Sequence, residues 1–267
     1  MTEFQRIVKY CAIALAVFLI VNIFSGIIGA ITGVFLLFGS GSNVGENTTY
    51  ITGSSCQQLK VDIAAANLLI TEGTEYSVSG NIKDLTVTEE NGTLVIKEKQ
   101  KLLNKSSQDA VLKITVPKGY CFTRADISTG AGGVTIENLT ADELKLQLGA
   151  GEVDIRHLTA NRDAEIDGGA GKITVAGGAL ANLDMDMGVG EVNLTSRLTG
   201  DCSLDMGIGE TNLTLIGSES DYGIDLDKGL GSITIDGKTF NRSQYGNGAT
   251  EVDIDGGIGA INIAFAA

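Results

Sequence analysis

From Ala125 onward, apolar and polar residues alternate in short runs that restart about every 20 residues. Leu183-Asp-Met-Asp-Met-Gly-Val-Gly-Glu-Val-Asn-Leu is one such unit, and Cys202-Ser-Leu-Asp-Met-Gly-Ile-Gly-Glu-Thr-Asn-Leu is the next. Alternation with period 2 predicts strands with one buried face. The first strand of successive units offers Leu144 and Leu146, Ala164 and Ile166, Leu183 and Met185, and Cys202 and Leu204 to that face. The second offers Val153 and Ile155, Ile173 and Val175, Val192 and Leu194, and Ile261 and Ile263. Between the two strands stands a Gly-x-Gly pair at Gly130, Gly149, Gly169, Gly188, Gly207, Gly229 and Gly257. A fixed period of about 20 residues is the mark of a repeat architecture. Glycine at each junction supplies a corner where the chain bends within a stack. A dinucleotide-binding loop is excluded, because each pair runs into a strand pattern rather than a helix.

Upstream, Leu59, Val61 and Ile63 alternate, and Asn91-Gly92 between two alternating runs predicts a tight hairpin. Residues 99–109 read as a loop, and 110–116 as a strand ended by Pro117. Residues 39–55, rich in Gly, Ser, Asn and Thr, read as a linker. Before them, Tyr10 to Phe38 holds no charged side chain. That run exceeds the ~20 residues that cross a bilayer, and it is too long for a signal-peptide core. The organisation expected is a cytoplasmic N-terminus at 1–9, a transmembrane helix at 10–38, the linker at 39–55 and an extracytoplasmic β-domain at 56–267. Within that domain, 56–124 form the N-terminal strands and hairpin and 125–267 the regular repeats. Arg6 and Lys9 precede the run and Glu46 is the first charge after it, so the positive-inside rule keeps the N-terminus in the cytoplasm. Ser25, Gly29 and Gly33 recur every fourth residue, a spacing that lets two membrane helices pack as a homodimer. The fold class expected is all-β: a β-solenoid, parallel β-helix-like, behind one N-terminal transmembrane helix.

The net charge is −14, which disfavours nucleic acid and anionic lipid as partners. Four cysteines (Cys11, Cys56, Cys121 and Cys202) and the single His157 form no zinc-ligand pattern. Alternation turns Cys121 and Cys202 inward, and a Cys56–Cys121 disulfide is one pairing open to an extracytoplasmic domain.

Chemistry is sought on the outward columns. Just before the glycine corner, Asp167, Asp186, Asp205, Asp227 and Asp255 occupy the same place in five successive units. Like charges about 4.8 Å apart repel unless screened, so this ladder is a candidate site for loose calcium uptake, with a solvated acidic face as the alternative. The nonapeptide calcium repeat itself is not matched. Thr135, Asp154, Thr174, Asn193, Asn212, Thr234 and Asn262 form a second column suited to side-chain ladders. Thr211 falls at an inward position and breaks the apolar set. No cofactor and no catalytic constellation are expected; His157 stands alone in a turn. The 238–250 insertion, with Phe240, Arg242 and Tyr245, reads as a cap or a contact loop.

The early strand Leu59-Lys-Val-Asp-Ile, the Asn91-Gly92-Thr-Leu-Val-Ile hairpin, Ile114-Thr-Val-Pro-Lys-Gly and units such as Ser128-Thr-Gly-Ala-Gly-Gly-Val-Thr-Ile together resemble the bacterial DUF4097 family. Its members carry the label putative adhesin. The resemblance covers about residues 55–265. It implies a β-repeat domain in the cell envelope and transfers no catalytic residue. The function expected is a membrane-anchored structural or interaction module, adhesin-like, with a protein or glycan partner. An accessory or sensor role in the envelope stress response is the alternative. A polysaccharide-active enzyme is a third reading, with only short loops to build a cleft.

Overall fold

The computed structural model describes residues 44–52, 56–99, 109–227 and 229–266. The expected transmembrane segment 10–38, with Ser25, Gly29 and Gly33, lies outside them. Among the described residues no helix is long and apolar enough to cross a membrane.

The described chain is all-β and solenoid-like. Leu139–Ile155 pairs in parallel with Leu158–Val175, which pairs with Leu183–Thr199, which pairs with Asp201–Ile216. Each repeat makes three ladder segments. In Leu139–Ile155 these are 139–141, 143–148 and 150–155, with breaks at Asp142 and Gly149. All three segments turn their apolar residues to one shared core: Leu139 and Ala141, then Leu144, Leu146 and Leu148, then Val153 and Ile155. The alternation that predicts these sets therefore holds, and the register between repeats keeps Gly-x-Gly over Gly-x-Gly.

The glycines are required by stacking as much as by bending. Gly209 has φ +150°, and a Cβ there would run into the carbonyl oxygen of Gly190 in the neighbouring coil. Gly259 meets the carbonyl of Gly209 in the same way. Each corner thus leans bare backbone against bare backbone.

Coil order in space differs from coil order in the chain at both ends. Thr250–Ala266, the last strand, lies between Asp201–Ile216 and the pair Tyr222–Asp227 and Leu230–Ile235. At the other end, Gln58–Ala65 and Asn67–Gly73 lie between Thr93–Glu98 and Val111–Pro117 on the outside and Cys121–Ala131 and Val134–Ile136 on the inside. The strands of 56–124 are therefore coils of the same stack rather than a separate preamble. Both outer faces end in antiparallel strands. Leu85–Glu90 covers Thr93–Glu98, and Ser77–Ile82 covers Val111–Pro117. Lys238–Phe240 covers Leu230–Ile235, and Gln244–Gly246 covers Tyr222–Asp227. The 238–250 insertion is thus an edge cover. Its Tyr245 stacks on Phe265 (ring centroids 5.9 Å apart) and its Phe240 meets Tyr245 edge-on at 5.5 Å.

Three further expectations change. Residues 44–52, read as linker, form the strand Val44–Thr52 paired antiparallel with Ser77–Ile82, as the β-formers Thr48, Thr49, Tyr50 and Ile51 favour. Cys121 is exposed and Phe122 takes the inward place. Thr123 and Arg124 are both exposed at a bend, which shifts the parity between 122 and 125. Cys56, Cys121 and Cys202 are free thiols, so the Cys56–Cys121 pairing is not made.

Candidate interaction surface

The outward columns flank the glycine corner on a strand whose inward residues are locked in the core. The aspartate ladder forms, with its last two members interchanged. Asp167 stands beside Asp186, Asp186 beside Asp205, Asp205 beside Asp255, and Asp255 beside Asp227. Asp205, inside this row, has its carboxyl held above the usual range, first by burial and then by the charges of Asp186, Asp255 and Asp184. Among the described residues no group of three or more His, Cys, Asp or Glu side chains is arranged to hold a metal ion. The ladder stacks carboxylates in file, whereas calcium needs oxygens converging from several directions.

Toward the N-terminal end the same face is charge-balanced. Arg124 pairs with Asp126 at 3.1 Å and with Glu143 at 3.0 Å, and Lys145 pairs with Glu165. Gln147 donates to Asp167 at 3.3 Å. Past the corner, Lys172 pairs with Glu191 at 3.2 Å. The next column is the polar ladder expected from sequence. The Asn212 amide donates to Asn193 Oδ1 at 3.0 Å, that of Asn262 to Asn212 Oδ1 at 2.9 Å, and the Thr234 hydroxyl to Asn262 Oδ1 at 2.8 Å. Asn262 also reaches Glu210 at 3.1 Å. These side chains spend their hydrogen bonds on one another. His157 is exposed, and the nearby Arg162 pairs with Glu143 at 3.1 Å.

Two features escape the sequence pattern. The first is Glu98, only 5% exposed. Its Oε2 accepts the backbone N–H of Ala64 at 2.7 Å and of Ala65 at 3.3 Å. On the side facing Gln58–Ala65, the pairing of Thr93–Glu98 stops at Asp62, so at this corner a carboxylate stands in for the neighbouring backbone. That is why Ala64-Ala65-Ala66 stands where the inner coils have Gly-x-Gly. The second is the middle residue of each corner. In space the order is Ala65, Ala131, Ala150, Ala170, Val189, Ile208, Ile258 and Leu230. Ile258 is 41% and Leu230 66% exposed, the only large hydrophobic side chains so exposed among the described residues. A shallow groove of about 610 Å³ runs beside this column, lined by Asp186, Asp205, Asp255 and Asp227 and the neighbouring glycines.

The family model described as Toastrack DUF4097 matches residues 43–254. Among solved structures, one described as a putative adhesin from Bacteroides fragilis is 16% identical, with TM-score 0.40, covering 84% of this chain and 100% of its own. Another, described as a putative lipid binding protein from Parabacteroides distasonis, is 15% identical with TM-score 0.44, covering 84% of this chain and 98% of its own. A putative cell adhesion protein from Clostridium sporogenes is 13% identical with TM-score 0.34, covering 83% and 99%. Comparison with curated proteins gives no match.

Proposed function

The chain belongs to the Toastrack DUF4097 family, and from that we propose that it is a membrane-anchored cell-envelope protein whose β-repeat domain is a structural and interaction module, adhesin-like in character. We read the domain as a β-solenoid of coils about 20 residues long, held outside the cytoplasm by the uncharged segment 10–38. The observation that carries the interaction reading is the lateral face itself. Ladder-locked coils present side-chain columns in register, while antiparallel strands cover both ends of the stack. A rigid scaffold with a long ordered flank suits the binding of an extended partner. The recesses along that flank are shallow, which favours surface recognition over turnover of an enclosed substrate.

Cys121 supplies the test of location. It is exposed, whereas Cys56 and Cys202 are buried. A membrane-impermeant maleimide applied to intact spheroplasts should label the wild-type chain and fail to label Cys121→Ser. Labelling that requires lysis of the inner membrane would place the domain in the cytoplasm and end this proposal.

A further inference from the structure

Two gradients run the same way along the corner column. Its side chains grow from alanine at positions 65 to 170 to Val189, Ile208, Ile258 and Leu230. Over the same coils the ion pairs of the early flank give way to a row of carboxylates, with Arg242 of the edge cover lining a recess beside Asp225, Asp227 and Asp253. Arg124 and Lys145 neutralise the early coils, whereas the late coils carry Asp186, Asp205, Asp255 and Asp227. Beyond the ridge, Glu210 adds charge on the second flank, whereas Glu191 is paired with Lys172. The result is an exposed apolar ridge between two bare glycine columns, bordered by carboxylates.

We infer that this ridge, from Val189 to Leu230, is the docking surface for a basic amphipathic α-helix of a partner protein, laid along the stack. The inference rests on the interaction reading above and specifies its partner.

Three observations select a helix of that chemistry. The first is spacing. Four ridge residues at coil intervals of about 4.8 Å span about 14 Å. Helix positions i, i+3, i+7 and i+10 span about 15 Å, whereas four alternate residues of an extended strand span about 20 Å. The second is shape. The glycine column on the aspartate side leaves a furrow along the ridge into which a helix's side chains settle, as ridges pack into grooves between helices. The third is charge. Carboxylates border the ridge, and one of them, Asp205, is held above the usual carboxylate range first by burial and then by the charges of Asp186, Asp255 and Asp184. Lysine and arginine flanking the helix's apolar stripe would relieve that repulsion. The same charge argues against a second copy of this chain, which carries −14, and against an anionic lipid surface.

The test uses the full-length chain in nanodiscs of zwitterionic lipid, with empty nanodiscs subtracted. The probe is a synthetic stapled helix with Leu at i, i+3, i+7 and i+10 and Lys on both flanks. Its control is a peptide of identical composition with Leu and Lys strictly alternating. Binding should favour the helix and weaken as salt rises. Ile258→Ala and Leu230→Ala, both at exposed sites and checked for unchanged melting, should each raise Kd roughly fivefold to tenfold. Equal binding of the two peptides, no binding of the helix, or indifference to both variants overturns the docking inference. A photo-crosslinking residue placed in intact cells at Ile208, and separately at the exposed Thr135, tests the interaction reading apart from the ridge. Capture at 135 without capture at 208 sinks the ridge and leaves the interaction module standing. Capture at neither position sinks the interaction reading itself.

Discussion

Alanine at Gly209 should unseat a corner that alanine at Gly237 would leave in place. Both glycines have positive φ, +150° and +72°. At Gly237 nothing lies within 4 Å of an added Cβ, so the cost is backbone strain alone, about 1 kcal/mol. At Gly209 the added Cβ meets the carbonyl oxygen of Gly190, and the ladder on the other side is tied to Gly259. Relief requires separating two paired strands, which adds an overpacking cost of ~1–3 kcal/mol to a strain of ~1–3 kcal/mol. Gly209→Ala should therefore cost about 2–6 kcal/mol. For a chain of this size that lowers Tm by roughly 4–24 °C, against roughly 2–4 °C for Gly237→Ala. Circular dichroism melts of the full-length protein in non-ionic detergent read both. If Gly209→Ala melts no lower than Gly237→Ala, the glycines serve only to permit the bend, and the stacking argument is wrong.

Thr211 is 1% exposed, its hydroxyl has no partner, and it stacks between Val192 and Ile261. Thr211→Val removes an unsatisfied buried group and should raise Tm by about 2–4 °C in the same melts, equivalent to ~1 kcal/mol. Glu98→Ala strands the amides of Ala64 and Ala65 and should cost about 2–4 kcal/mol, with Glu98→Gln recovering part of it because its carbonyl can still accept. For Asp205, a folded-state pKa above the ordinary 3.8 means that the folded protein holds this proton more tightly than the unfolded chain. Its ionisation therefore erodes stability as pH climbs through the raised value, and the loss persists at pH 7. Asp205→Asn should raise Tm at pH 7 in low salt, with the gain shrinking in 1 M salt and vanishing near pH 3. A gain that is independent of pH would refute the assignment.

The inward columns were legible because one physical rule, alternation in a strand locked to a core, governs every repeat. Leu144, Leu146, Val153 and Ile155 are buried as their spacing requires, and so is the irregular Thr211. The Asn193–Asn212–Asn262 ladder was legible for the same reason, since in-register stacking brings like residues together. Alternation fails where the chain bends: two exposed residues, Thr123 and Arg124, invert the side on which Cys121 falls. It is also silent on order in space. Val252 and Ile254 fit the inward set whether their strand lies last or next to last, so the interchange of the final coils is invisible to periodicity. Glu98 escaped because its role depends on where Thr93–Glu98 stops pairing, which is a tertiary fact.

That interchange bears on function. A repeat stack whose outermost coils were parallel strands would offer each end as a template for another chain. Here the last strand, Thr250–Ala266, is paired on both sides, and the outermost places go to antiparallel strands, two of them only three residues long. At the opposite end Gln58–Ala65 is likewise paired on both sides, with Leu85–Glu90 and Val44–Thr52 among the strands outside it. At the C-terminal end the three-residue reversed strands give a new strand little register to extend, whereas at the N-terminal end the nine-residue Val44–Thr52 lies outside Ser77–Ile82. The Tyr245–Phe265 stack, with the Tyr245 hydroxyl bound to Glu219 and its pKa pushed up to about 12, fastens the cover at the C-terminal end. With the C-terminal end closed to propagation, recognition beside it falls to the flank. Of the flank's columns, the Asn–Thr ladder is self-satisfied and the early ion pairs are mutually neutralised. The exposed Ile258 and Leu230 of the ridge, beside the row Asp186, Asp205, Asp255 and Asp227, remain as the surface open to a partner.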